Sequence, residues 1–167
     1  MLVTLDLSTV QTGYCAGAAG RRPRYGVFRP GNLPRDERTA YMAASVAQLC
    51  QSVGARRVVA EAVSVGSFTK SDGTKGPGNL MSAVALAEVH GAVKYALRPL
   101  GLTMETLNLS TARKDAGVRL DLGIKGAPNK DDCRRWLAAK GFPTMNGDEA
   151  DALVLWRALL EPRTTAA

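Results

Sequence analysis

Polar and apolar residues alternate over positions 2–7, Leu-Val-Thr-Leu-Asp-Leu, a period of two that predicts a strand at the start of the chain. Gly13, Gly17 and Gly20 punctuate two further short strands near 12–18 and 24–29, so the chain should open as a three-stranded meander. Pro34 then precedes a stretch in which Tyr41, Ala44, Val46, Ala47 and Leu49 fall near helical spacing, and Gly54 supplies a stop. This predicts a long helix over 35–53. Residues 57–63, Arg-Val-Val-Ala-Glu-Ala-Val, are a short apolar run suited to a buried parallel strand. A basic loop rich in glycine follows over 66–79, then a second long helix over 80–98 and a fifth strand within 101–107. A helical turn over 111–117 and two helices near 128–140 and 148–161 complete the pattern.

Helical crossovers between strands demand parallel pairing at the sheet centre, whereas the opening meander is antiparallel. The expected product is an α/β fold with one mixed sheet covered by helices on both faces. At 167 residues the chain fits one domain, expected over 1–162 with a short tail at 163–167. Composition excludes a disordered tail-like protein, because 46% of residues are apolar and 22% charged. Glu88, His90 and Lys94 interrupt the longest apolar stretch, so no membrane segment is expected. The first residues carry no basic or apolar leader pattern, which points to a cytoplasmic protein. Cys15, Cys50 and Cys133 are odd in number and far apart, which suggests buried free thiols rather than disulfides or a zinc site. His90, the only histidine, lies mid-helix among small apolar residues and is read as packing. Trp136 and Trp156 are read as core anchors of the last helices.

Charge changes the picture. Lys and Arg outnumber Asp and Glu by 22 to 15, a net charge of +7 that favours polyanionic partners. Against that background a few acids stand in costly places. Asp6 sits mid-strand on the same face as Thr4 and Ser8, and Glu61 lies among Val58, Val59, Ala60, Ala62 and Val63 near the end of a buried strand. Strand ends of this kind face the binding crevice in open α/β sheets. Asp148 and Asp151 are three apart and share a helical face that Ala152, Leu155 and Leu159 continue. A competing reading makes Asp148 an N-cap with Asp151 as its capping-box partner. Glu149, rotated by about 100° along the helix, is expected to be a solvated charge. Together the acids offer oxygen ligands for Mg²⁺ or Mn²⁺ with no soft ligand beside them. Two such ions about 3.5–4 Å apart suit phosphodiester hydrolysis. With one histidine available, metal ions rather than an imidazole are left to activate the water.

Asp6-Leu-Ser with Thr12-Gly-Tyr14, then Val59-Ala-Glu61, then Gly147-Asp-Glu-Ala-Asp-Ala152 resemble the three acidic motifs of the RuvC family of Holliday-junction resolvases, over roughly residues 1–160. The resemblance implies an RNase H-like fold with a mixed five-stranded sheet. It makes Asp6, Glu61, Asp148 and Asp151 the catalytic, metal-binding tetrad, holding two Mg²⁺ or Mn²⁺ ions per site. It also implies a homodimer that nicks two strands of a four-way DNA junction symmetrically, leaving 5′-phosphate and 3′-hydroxyl ends; the sequence reveals no branch-migration partner. The cellular setting would be nucleoid-associated, or the host cytoplasm for a phage protein.

The chain departs from the common bacterial pattern. Leu7-Ser8 follows the first acid where Pro-Gly is frequent, Ser64 stands where an aromatic wedge is usual, and 72–78 looks like an insertion. A divergent, phage-type member fits these departures, with Phe68 as the replacement wedge. Lys70 and Lys75 in the same loop are read as phosphate contacts, and the resemblance adds Arg113, Lys114 and Lys130 as basic groups lining the cleft. Arg21, Arg22, Arg24 and Arg29 are read as a solvated face. Helix 80–98, rich in alanine, offers one face to the sheet and another to a dimer partner. The altered loop keeps a broader fork or flap nuclease in view, and a junction-binding protein without catalysis remains the alternative of another class.

Overall fold

The computed structural model describes residues 1–63, 68–69, 75–76 and 80–161. Ser64, Lys70, the side chains of Phe68 and Lys75, and the 163–167 tail lie outside the described residues. Strand β1 (Leu2–Leu7) pairs antiparallel with β2 (Thr12–Gly17), which pairs antiparallel with β3 (Arg24–Phe28). On its other edge β1 runs parallel to β4 (Arg57–Glu61), and β4 parallel to β7 (Met104–Leu107). The sheet is therefore mixed, in the order β3-β2-β1-β4-β7, with the two acid-bearing strands side by side at its centre. Two-residue strands β5 (Phe68–Thr69) and β6 (Lys75–Gly76) form an antiparallel pair within the region expected to be only a loop.

The helices are α1 (Arg35–Val53), α2 (Leu80–Leu97), α3 (Leu109–Asp115), α4 (Val118–Leu122), α5 (Lys130–Ala139) and α6 (Gly147–Leu160). They cover both faces because alternate residues of β1 point opposite ways. Val3, Leu5 and Leu7 pack into a core with Met42, Val46 and Leu49 of α1 and Val89, Val93 and Leu97 of α2. Leu2 faces the second core, which holds Leu153, Leu155 and Trp156 of α6 with Trp136 and Leu137 of α5. Thr4 shares this face, and its hydroxyl donates to the Ala152 carbonyl of α6 at 2.7 Å. Helix α6 is thus bolted across β1 by a buried hydrogen bond as well as by apolar contact.

Both tryptophans are buried as expected, the Trp136 indole donating to Asp121 at 2.8 Å. All three cysteines are free and buried, and burial pushes the Cys50 and Cys133 thiols up to about 11. His90 is buried in α2, where desolvation and then the neighbouring Lys94 lower its pKa, so it stays neutral packing material. Helix α4 was not anticipated: Gly117, at φ 81°, breaks the helical run after α3 and starts a separate short turn. Leu80–Leu100, with mean hydropathy 1.2, is long and apolar enough to cross a membrane by length and composition alone. Val89, His90, Val93 and Leu97 of this helix are nevertheless buried in the protein, while Leu80, Met81, Val84 and Tyr95 are exposed.

Candidate functional site

The parallel pairing of β1 with β4 brings Asp6 and Glu61 together at the C-terminal ends of both strands. Across β1 the residue opposite Asp6 is Gly13, and the absence of a side chain there lets the first turn of α6 lie directly on the sheet. A Cβ on Gly13 would sit 2.0 Å from the Asp148 carbonyl oxygen. Asn146 caps α6, its side-chain oxygen accepting from the Glu149 amide at 2.9 Å. Asp148 is therefore not the N-cap, and Asp148 and Asp151 both turn inward. Glu149 corrects the sequence reading: it is buried rather than solvated, and its carboxylate accepts from the Met145 amide at 2.5 Å, closing the entrance to the helix.

Helix α5 supplies the cation among these acids. A capping box fixes its first turn, with Asn129 accepting from the Asp132 amide and Asp132 accepting from the Asn129 amide. Lys130, the first residue of that turn, extends its ammonium over Gly147 to lie 2.6 Å from Asp148 Oδ1, 3.4 Å from Asp6 Oδ2 and 3.5 Å from Asp151 Oδ2. Partial burial opposes its charge, but the surrounding acids prevail and raise its pKa above the ordinary lysine value. Arg113 of α3 reaches Asp151 Oδ1 at 2.8 Å with one amino group and the Pro128 carbonyl at 2.7 Å with the other. Gln11, which the sequence reading missed, donates to Asp148 Oδ2 at 2.6 Å. Its signal was the Ser8–Gln11 turn, where the Ser8 hydroxyl accepts from the Gln11 amide and donates to the Gln11 carbonyl.

Burial dominates the electrostatics of the strand acids. It pushes the Asp6 carboxyl up to about 9; Lys130 pulls it back, while Glu61 and then Asp151 push it further. Glu61 is also raised by burial, and the hydrogen bond from Asp6 works the other way. Burial of both carboxyls therefore favours retention of a proton within the pair. Among the described residues no three acids are grouped as a metal-binding cluster, and Lys130 and Arg113 are ion-paired with the acids. Asp151 is fully buried, yet its Oδ2 accepts no hydrogen bond. That oxygen has only the Lys130 ammonium at 3.5 Å, and with the three other carboxylates it makes an all-oxygen donor set suited to a hard divalent cation.

The structure thus gathers Asp6, Glu61, Asp148, Asp151, Lys130 and Arg113 into one site. Lys114 is not in it; it lines a neighbouring cavity. Arg22 stacks over Phe142 and donates to the Gly141 carbonyl, away from the acids.

No protein-family model matches the chain, and no curated protein is significantly similar to it. Solved structures do match. RuvC of Thermus thermophilus in complex with a Holliday junction substrate superposes with a TM-score of 0.61 and 17% identity, covering 94% of this chain and 90% of that one. A second structure of the Thermus thermophilus protein gives a TM-score of 0.54 and 16% identity, covering 94% and 92%. The fold is that of the RuvC-type resolvases. The yeast mitochondrial Holliday junction resolvase Ydc2 also superposes, with a TM-score of 0.54 and 9% identity, covering 95% of this chain and 77% of that one. In this RuvC-type fold the five-stranded sheet has helices on both faces, as expected, and the Thermus neighbours are RuvC itself, whose family the acidic motifs resemble.

Proposed function

We propose that the protein is a metal-dependent endonuclease that resolves four-way DNA junctions by paired nicks, acting as a homodimer. The observation that carries this reading is the buried Asp151 carboxylate, whose Oδ2 accepts no hydrogen bond, set with Asp6, Glu61 and Asp148 at the strand ends of a RuvC-type fold. Asp6, Glu61, Asp148 and Asp151 would hold Mg²⁺ or Mn²⁺, which when bound supplies water activation and stabilises the leaving oxygen. Gln11 orients Asp148 and Arg113 orients Asp151, so neither helix acid has to be ordered at the moment of use. Lys130 neutralises the acids until cations arrive, and its half-exposed ammonium then becomes available to a phosphate oxygen.

The deciding experiment incubates an end-labelled four-way junction with the protein, with and without Mg²⁺, beside matched fork, flap and duplex DNA. Symmetric Mg²⁺-dependent nicks in the junction, with little cleavage of duplex, are expected. Equal cutting of forks and flaps would replace junction resolution with a broader branch nuclease. Tight junction binding without cleavage under either metal would make it a non-catalytic binder.

The dimer surface is read on α2. Leu80, Val84, Gly91 and Tyr95 fall within one narrow stripe at about 100° per residue. All three side chains are exposed, and a Cβ on Gly91 would meet nothing within 4 Å. Such a stripe of apolar and small residues suits the close approach of an identical helix. Replacing Leu80 and Val84 together by glutamate is expected to yield a folded monomer by light scattering. On a supercoiled cruciform plasmid the variant should give nicked circles in place of linear product. A variant that stays dimeric would remove α2 from the interface.

A further inference from the structure

The cavity beside the acidic site has no role in the chemistry described so far. It measures about 550 Å³ and lies between α3, α4 and the segment leading into α5. That is within the range of about 300–1,000 Å³ usual for pockets that take small ligands. Its walls are of two kinds. Leu120 and Ile124 supply apolar surface, with Leu120 66% exposed, while Lys114 and Arg119 bring positive charge. Arg119 is held in place through its Nε, which donates to the Ile124 carbonyl at 3.2 Å. Pro128 forms the side toward the acids, and its carbonyl accepts from the same Arg113 guanidinium that binds Asp151. The Arg113 side chain thus links the cavity wall to the acidic site.

We infer that this cavity receives one unpaired nucleotide of the DNA strand next to the cleaved bond, its base against Leu120 and Ile124 and its phosphate against Lys114 and Arg119. The inference rests on the nuclease reading above and extends it. An apolar wall beside paired cations matches a nucleotide, which joins an apolar base face to an anionic phosphate. Branched DNA offers such nucleotides cheaply, because bases at the branch have lost stacking partners and cost least to extrude. Because Arg113 joins Pro128 of the cavity to Asp151 of the acidic site, a nucleotide in the cavity would hold the adjoining phosphodiester near Asp151.

The test is a scan of single abasic sites placed along each strand of a four-way junction, with binding read by fluorescence anisotropy in EDTA so that cleavage does not intervene. The native chain is expected to bind roughly ten-fold more weakly when the abasic site falls at one position near the branch, the scale of one lost base contact. Leu120→Asp changes an exposed residue and should keep the native melting temperature. It is expected to bind the intact junction as weakly as the native chain binds the abasic one, with no further loss on that abasic DNA. A flat scan on a tightly bound junction overturns the cavity assignment and leaves the nuclease reading standing. Undiminished base dependence in Leu120→Asp overturns it equally. Failure to bind any branched DNA removes the nuclease reading first, and the cavity's role with it.

Discussion

Asp6→Asn is expected to lower junction nicking by at least roughly a thousand-fold while leaving junction binding in Ca²⁺ or EDTA within a few-fold of the native chain. The substitution removes one anionic oxygen donor from the centre of the acid group and changes little else, since the side chains are nearly isosteric. Stability should move in the opposite direction from activity. The folded-state pKa of Asp6 lies at about 9, above its ordinary value of 3.8, mainly because the carboxyl is buried. A raised carboxyl pKa means that folding favours the protonated form, so its contribution is fully present below pH 3.8 and is lost as pH rises toward 9. Asparagine, which can donate to Glu61 as protonated Asp6 does, carries no such loss. In EDTA, urea unfolding at pH 5.5, 7 and 8.5 should therefore show the variant gaining on the native chain with rising pH, by on the order of 4 kcal/mol across that range. A constant stability difference would show that Asp6 is already ionised without metal. Native-level nicking would remove it from the catalytic group.

Much of this site was legible because acids in apolar strands break the local pattern and so announce themselves. Asp6 and Glu61 could be assigned to a ligand crevice from strand periodicity alone, and the three-residue spacing of Asp148 and Asp151 placed them on one face. What spacing could not supply was the partner of each charge. Lys130 looked equally like a surface residue at a helix start, and only the packing of α5 against α6 aims it at the acids. Gln11 sits in a tight turn, and its contact with Asp148 spans 137 positions, beyond any local signal. Glu149 was misjudged because helical rotation gives direction but not surroundings: its side of α6 is closed by the Met145 backbone rather than open to water. The two long helices and five main strands followed from periodicity, whereas α4 and the β5–β6 pair are too short to carry a period.

Gly13→Ala should be as damaging as removal of an acid, through geometry rather than chemistry. The added methyl would stand 2.0 Å from the Asp148 carbonyl oxygen, 2.3 Å from its carbon and 2.8 Å from the Glu149 nitrogen. All three are backbone atoms of a helix start, so no rotamer change can relieve the clash. The first turn of α6 would have to lift from β2, drawing Asp148 away from Gln11 and Asp151 away from Arg113. It would also strain the Thr4 to Ala152 hydrogen bond that fixes α6 to β1. Overpacking of this kind costs about 1–3 kcal/mol where side chains can adjust, and more where backbone must move, so a loss of roughly 3 kcal/mol or more is expected together with loss of nicking. Gly91→Ala is the matched control. In the single chain it adds the same methyl inside a helix where nothing lies within 4 Å, so at concentrations below those at which the α2 faces associate it should stabilise the fold by about 0.5–1 kcal/mol. Chemical denaturation of the two variants beside the native chain checks both signs. A Gly13→Ala protein with native stability and native nicking would mean that α6 does not rest on β2, and that the close approach does not set the position of its two acids.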